Sequence, residues 1–460
     1  MFWITLPMPV SLEPFQFVDG VRRVSRHRMN HPMLLRGKQV LTAVSVAFLL
    51  ALPAHGSERA SGKHVSFDEA YKQLIGLSKT DPRPLFVISS AVYADGIAEQ
   101  SDGKQTVFRE LFGTVATLLG DYDTAERVYG LPREPTSLST RGPLKPIEAI
   151  EHLMPKISRA RVFFMNESHG IVRTRGALLQ WLPRLKAAGF THLALEAFDT
   201  SATMADASNC SSEFRSDPVI ESRGYPVLKS GFYTREPVYG AILETALGLG
   251  FQIVAYDIDG EDRMRGGAAI LACVLDQNDS NRLVLLGGFG NIAETRGARP
   301  RDNWTLADWL FELSAVDPLT LSTTTLLGVS PKRIDGVTKP GVPYMLMDSA
   351  GNFVRSSLYD HLVFIAPFPG GQQRSIWNVV SPEREVFEIK RPAGWSPGLA
   401  FFSATIPDRE AGATPSDACV ATGDEGCTLF LSPGAYRIDA GHADGSASVF
   451  YISVPKVVAD

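Results

Sequence analysis

Glu167, Ser168 and His169 are consecutive, between Asn166 and Gly170. A carboxylate two residues from an imidazole can orient the ring and take up the charge of its protonated form, as a general acid or base requires. Other polar positions recur at comparable points: Glu196, then Asp257 and Asp259, then Asn291, each just past a short apolar run. Arg173, Arg235 and Tyr239 lie nearby in sequence and could bind the polar groups of a substrate. Each has a plainer use as well: His169 could satisfy a loop backbone, Glu196 could sit in a structural ion pair, and the aspartates could cap the next segment. Ser168 in N-E-S-H-G resembles the G-x-S-x-G elbow of serine hydrolases. Asn166 takes the place of the first glycine, however, and neither His361 nor His442 is placed like a triad base.

The elements that position these residues follow a repeated pattern. Val162 to Met165 is an apolar run of the kind a doubly covered parallel strand needs. Leu178, Trp181, Leu182 and Leu185 recur at helical spacing, Gly189 stands where a C-cap would, and Pro183 predicts a kink or a late start. His192 to Leu195, Gln252 to Tyr256 and Arg282 to Leu286 repeat the strand signal, with helical patterns around Tyr239, Gly267 to Leu275 and Trp304 to Leu313. Runs near Leu319, Tyr344 and Leu362 are expected to complete the sheet. The fold class is α/β: a Rossmann-like, mainly parallel sheet with flanking helices. The polar groups that follow the four strands then fall at the carboxyl edge, where open parallel sheets bind ligands, while Arg235 and Tyr239 lie in a loop-to-helix turn.

The chain has 460 residues, 44% hydrophobic and 21% charged, with a net charge of -5, so nothing indicates a nucleic-acid partner. Arg36 and Lys38, the apolar run Val40 to Leu52 and the small residues around Ala54 spell a secretory signal peptide within residues 1–56, which leaves no stable membrane span after processing. A helical cap is expected over 57–131, a Pro/Ser/Thr linker over 132–146, the α/β domain over 147–367 and a small antiparallel β domain over 370–460, where SIWNVV, EVFEIK, LAFFSATI, TLFL, YRIDA and SVFYISV read as short strands. Cys419 and Cys427 are expected to form a disulfide. Cys210 and Cys273 could be a pair or two buried thiols.

NESHG, LLQWLPRLKAAGFTHLALEAF, SGFYTREPVYGAILETALGLGFQIVAYD and VLLGGFGNIAE together resemble the superfamily of erythromycin esterases and haem-binding ChaN-like proteins, with a more distant likeness to the TIKI/TraB metalloproteases. The resemblance covers roughly residues 145 to 330. It implies a site built from Glu167, His169 and Glu196, with the histidine activating water. The family's usual histidine after the fourth strand is Asn291 here, and its Arg-Glu-x-x-Gln-Ala helix start is reduced to EDRMRGGAA. The expected function is an exported, periplasmic or secreted hydrolase of an ester or amide in a small-molecule or peptide substrate. His169, Glu167 and Glu196 would be catalytic, and Arg173, Arg235, Tyr239, Asp257 and Asn291 would bind substrate. No cofactor is required, although haem or a divalent metal is compatible with the family. The alternative is a non-catalytic haem or small-ligand binding protein.

Overall fold

The structure is a computed structural model that describes residues 102–132, 142–196, 198, 207, 210, 217, 219–258, 262–288, 290–336, 338–410 and 412–456. The signal-peptide region, Asp259 and most of the linker lie outside the described residues. Two helices come first, α1 (Asp102–Leu118) and α2 (Tyr122–Tyr129), then strand β1 (Lys145–Glu148) and α3 (Ala149–Ile157). The core follows as β2 (Val162–Asn166), α4 (Val172–Ala187), β3 (His192–Leu195), α5 (Pro237–Gly248), β4 (Gln252–Ala255), α6 (Arg263–Asp276), β5 (Leu283–Gly287), α7 (Leu306–Ser314) and β6 (Leu319–Ser322). After β7 (Pro343–Met347) come the short strands β8 (His361–Leu362) and β9 (Phe364–Ile365).

The main sheet is parallel in the order β4-β3-β5-β2-β6-β8. The unbroken apolar runs are explained by its two covers. Trp181, Leu182 and Leu243 of α4 and α5 pack on one face, and Ile270, Leu271 and Leu310 of α6 and α7 pack on the other. Pro183 neither ends α4 nor delays it, because the helix runs unbroken from Val172 and is buried along most of its length. Gly189, at φ 90°, accepts the left-handed turn that follows it.

The chain leaves β2 towards β3 and β4, and β5 then returns to lie between β3 and β2. This reversal of direction makes the crevice at the carboxyl ends.

Two expectations are corrected. The run at Tyr344 does not join the main sheet: β7 pairs antiparallel with β1 and β9, and β1 takes in Lys145 and Pro146 from the supposed linker. SIWNVV is not a strand but a helical turn, Trp377–Val380 after a 3-10 turn, in which Trp377 is buried and its Nε1 donates to Asp417 at 3.0 Å.

The remaining strands are antiparallel as expected: β10 (Glu385–Ile389) pairs with β13 (Cys427–Leu431), and β11 (Ala400–Thr405), β12 (Asp417–Ala421), β14 (Gly434–His442) and β15 (Ala447–Val454) form a sheet ordered β12-β11-β14-β15. Val115 and Leu118 of α1, with Leu119 just after it, pack on Phe401 and Ala418 of that sheet. Both cysteine pairs are disulfides, Cys210–Cys273 and Cys419–Cys427, the bonding of a chain at home in an oxidising compartment. Among the described residues no helix is long and apolar enough to cross a membrane.

Candidate functional site

Both β2 and β3 pair with β5, so the residues that follow them are delivered to the two sides of one strand end. The Glu167 N–H donates to the Gly287 carbonyl at 2.9 Å and the Glu196 N–H to that of Leu286 at 3.1 Å. The two glutamates thus flank the tip of β5. Gly288 gives the Glu196 carboxylate its room: a Cβ there would stand 2.7 Å from Oε2.

On the α4 side, the Glu167 carboxylate serves two groups. Oε1 is paired with His169 Nδ1, and Oε2 accepts from Arg175 Nε at 3.2 Å and Nη2 at 2.9 Å. Arg175 Nη1 reaches Glu236 Oε2 at 3.0 Å. Glu236 in turn caps α5, accepting from the N–H groups of Val238 and Tyr239 at 2.8 and 2.6 Å, and takes the Tyr122 hydroxyl at 2.6 Å. Burial disfavours the Glu167 charge, but Arg175 and His169 outweigh it and hold the carboxyl at about 2. Burial likewise opposes an imidazolium at His169, yet Glu167, with a smaller push from Glu196, raises its pKa above the ordinary value. Among the described residues Nε2 of His169 has no hydrogen-bond partner, and the side chain is 17% exposed.

On the α6 side, Glu196 Oε1 accepts from Arg263 Nη2 at 2.9 Å and from Asn291 Nδ2 at 3.0 Å. Arg263 also grips Asp257, with Nη2 at 2.7 Å from Oδ2. Glu196 Oε2 is buried without a hydrogen-bond partner among the described residues. Tyr239 joins the two halves: its hydroxyl donates to the Glu196 carbonyl at 2.8 Å, and the Arg175 guanidinium lies 5.7 Å from its ring.

Of the residues expected at the site, Glu167, His169, Glu196, Tyr239, Asp257 and Asn291 come together around β5. Arg173 does not take part. It is 1% exposed, paired with Glu126 of α2 and donating to the Ile365 carbonyl at 3.2 Å, so it is spent on holding the helical hairpin and is closed to a substrate. Arg235 is buried at the start of α5, its guanidinium 5.7 Å from the Phe232 ring. Ser168 is buried, which closes its hydroxyl to a substrate.

Several participants went unpredicted. Arg175 and Glu236 form the support under His169, Arg263 pairs Glu196, and Tyr233 stacks on the imidazole with centroids 4.4 Å apart. Glu110 of α1 lies in the field of His169, and burial raises its pKa. Tyr129 packs so tightly over Gly170 that a Cβ there would meet its ring at 2.3 Å. These come from segments as far as 67 residues from the group they meet, and no local pattern marks them.

A divalent metal does not fit this donor set: among the described residues no three His, Cys, Asp or Glu side chains are grouped to hold one. Haem fits no better: among the described residues His169 is in contact with Glu167, Arg175 and Tyr233, a charged and phenolic set where a porphyrin needs an apolar slot.

No family model and no curated protein matches the chain. Solved structures that resemble it include the type III effector HopBA1, 15% identical, over 50% of this chain and 99% of that one at a TM-score of 0.27. RRSP, a MARTX toxin effector domain from Vibrio vulnificus CMCP6, is 12% identical over 52% of each chain at 0.28. The C-terminal region of Pasteurella multocida toxin, described as having a thiol-protease-like catalytic triad, is 10% identical over 84% of this chain and 61% of that one at 0.26. The chain thus spans about half the length of the Vibrio structure. At these TM-scores the likeness carries no argument about activity.

Proposed function

We propose that the protein is an exported hydrolase that cleaves an ester or amide with water activated by His169. One observation supports this above the rest: His169 has Nδ1 fixed to an ionised, buried carboxylate, while Nε2 is unpartnered among the described residues and the side chain is 17% exposed. In the reaction, Nε2 takes a proton from water as the water oxygen bonds to the substrate carbonyl carbon. The imidazolium then returns that proton to the leaving oxygen or nitrogen as the scissile bond breaks. Glu167 fixes the tautomer and stabilises the imidazolium, and Arg175 keeps Glu167 ionised.

Glu196 is better suited to stabilising that charge at a distance than to holding the water, because Arg263 and Asn291 occupy Oε1 and Gly288 covers Oε2. The membership of the erythromycin-esterase-like superfamily and the periplasmic or secreted location belong to this proposal. The first rests on the motifs; the second rests on the signal-like N-terminus and the disulfides.

The test is a panel of ester and peptide substrates on the mature chain, with and without chelator. Hydrolysis that falls about 10²- to 10⁴-fold in His169→Ala is the expected result. Activity unaffected by that substitution would sink the reading.

A further inference from the structure

The carbonyl oxygen of such a reaction gathers negative charge and needs a hydrogen-bond donor. The Asn291 amide donates to Glu196, and the Tyr239 hydroxyl donates to the Glu196 carbonyl.

Tyr233 is placed differently. It opens the 3-10 turn Tyr233–Arg235 that leads into α5, and it is 7% exposed. Its ring lies on the His169 imidazole with centroids 4.4 Å apart and planes 23° apart, braced by the edge of Phe232 at 5.2 Å and by Tyr239 at 5.9 Å. Among the described residues nothing hydrogen-bonds its hydroxyl, and the oxygen is not sealed off like those of Glu196 Oε2 and Tyr256. The charges that act on it are Glu196 first and then Glu167, the pair that flanks the tip of β5. A phenol and an imidazole are thus stacked on one another, each with one polar atom unpartnered among the described residues, beside the two glutamates that flank the tip of β5.

We propose that the Tyr233 hydroxyl donates the hydrogen bond that stabilises the oxyanion, which makes Tyr233 a catalytic residue alongside His169. This rests on the hydrolase reading above. Burial and the neighbouring carboxylates keep the phenol protonated far beyond neutral pH, so the O–H is present throughout the working range. As a neutral donor it adds no charge that would lower the His169 pKa. Stacking fixes its ring, so little reorganisation accompanies the reaction.

Tyr233→Phe keeps the ring and the stack and removes only the donor. On a substrate whose hydrolysis depends on His169, it is expected to lower kcat about 10²- to 10³-fold, with KM within about threefold and the acid limb of the pH profile unmoved. Its thermal unfolding should match that of the parent. A kcat within about twofold of the parent, a loss confined to KM, or a displaced acid limb each overturns the proposal while leaving the hydrolase reading standing. So does a larger loss in Asn291→Ala than in Tyr233→Phe, which would make Asn291 the donor. If no substrate is hydrolysed in a His169-dependent way, the hydrolase reading fails and the role of Tyr233 goes with it.

Discussion

Around the tip of β5 lie Glu167, Arg175, Glu196 and Glu236, each less than a tenth exposed, whereas the core closed by β11 to β15 is Phe402, Ala404, Leu429, Leu431, Ile438 and Ala440. Both regions are buried, but the first is built of paired charges and the second, apart from one carboxylate at its edge, of apolar side chains. In the β unit the fully buried carboxylate is Asp417, and it faces the seam: it accepts from Trp377 Nε1 at 3.0 Å and from the Phe430 N–H at 2.7 Å, and it pairs with Arg374. Apolar burial stabilises wherever it occurs, while a buried ion costs several kcal/mol before pairing recovers it. A chain that needed only stability would build the crevice as it builds the β unit. The charges at β5 accord with the hydrolase proposed above.

Removing a partner from the charged region should do the most damage. Arg175→Met leaves Glu167 and Glu236 buried without their shared cation, and denaturant unfolding should show a loss of about 3–5 kcal/mol. A loss below about 1 kcal/mol would mean that the network is wetter than its burial indicates.

The disulfide Cys419–Cys427 closes a short loop, with a sequence separation of 8, between β12 and β13. Replacing both cysteines by serine is expected to cost about 2–3 kcal/mol, mostly through the unfolded chain, with no effect on hydrolysis. Lost activity at full stability would instead couple the β unit to the crevice.

Glu167→Gln tests the electrostatics. Glu167 raises the His169 pKa, and the base works only in its neutral form, above that pKa. Without the carboxylate the pKa falls, so the acid limb of the rate profile should move to lower pH while kcat drops. A limb that stays in place would mean that another group controls it.

The smallest effect is expected at the edge strand. Tyr451 on β15 is 69% exposed, and Tyr451→Ser should change stability by no more than about 0.5 kcal/mol in a thermal melt. A larger loss would show that this outer face is covered in solution.

The sequence by itself determined what one strand or helix can express. The runs at Val162 and Leu283 suit doubly covered strands, and Glu167, His169, Glu196 and Asn291 were legible because each lies within a few residues of a strand end, where the sheet must deliver it. The alternation of EVFEIK and SVFYISV likewise set strands in the C-terminal region. SIWNVV misled because a short apolar run carries no period that separates a strand from a helical turn.

Tertiary structure alone decided which charges meet. Arg175 and Glu236 are 61 residues apart, and Glu196 and Arg263 are 67 apart. Nothing in either neighbourhood says that the partner is near, because the need for a countercharge arises only when folding takes the first group out of water. The same holds for Tyr233 against His169 and Tyr129 against Gly170: the sequence supplied the groups, and the order β3-β5-β2 brought them to one rim.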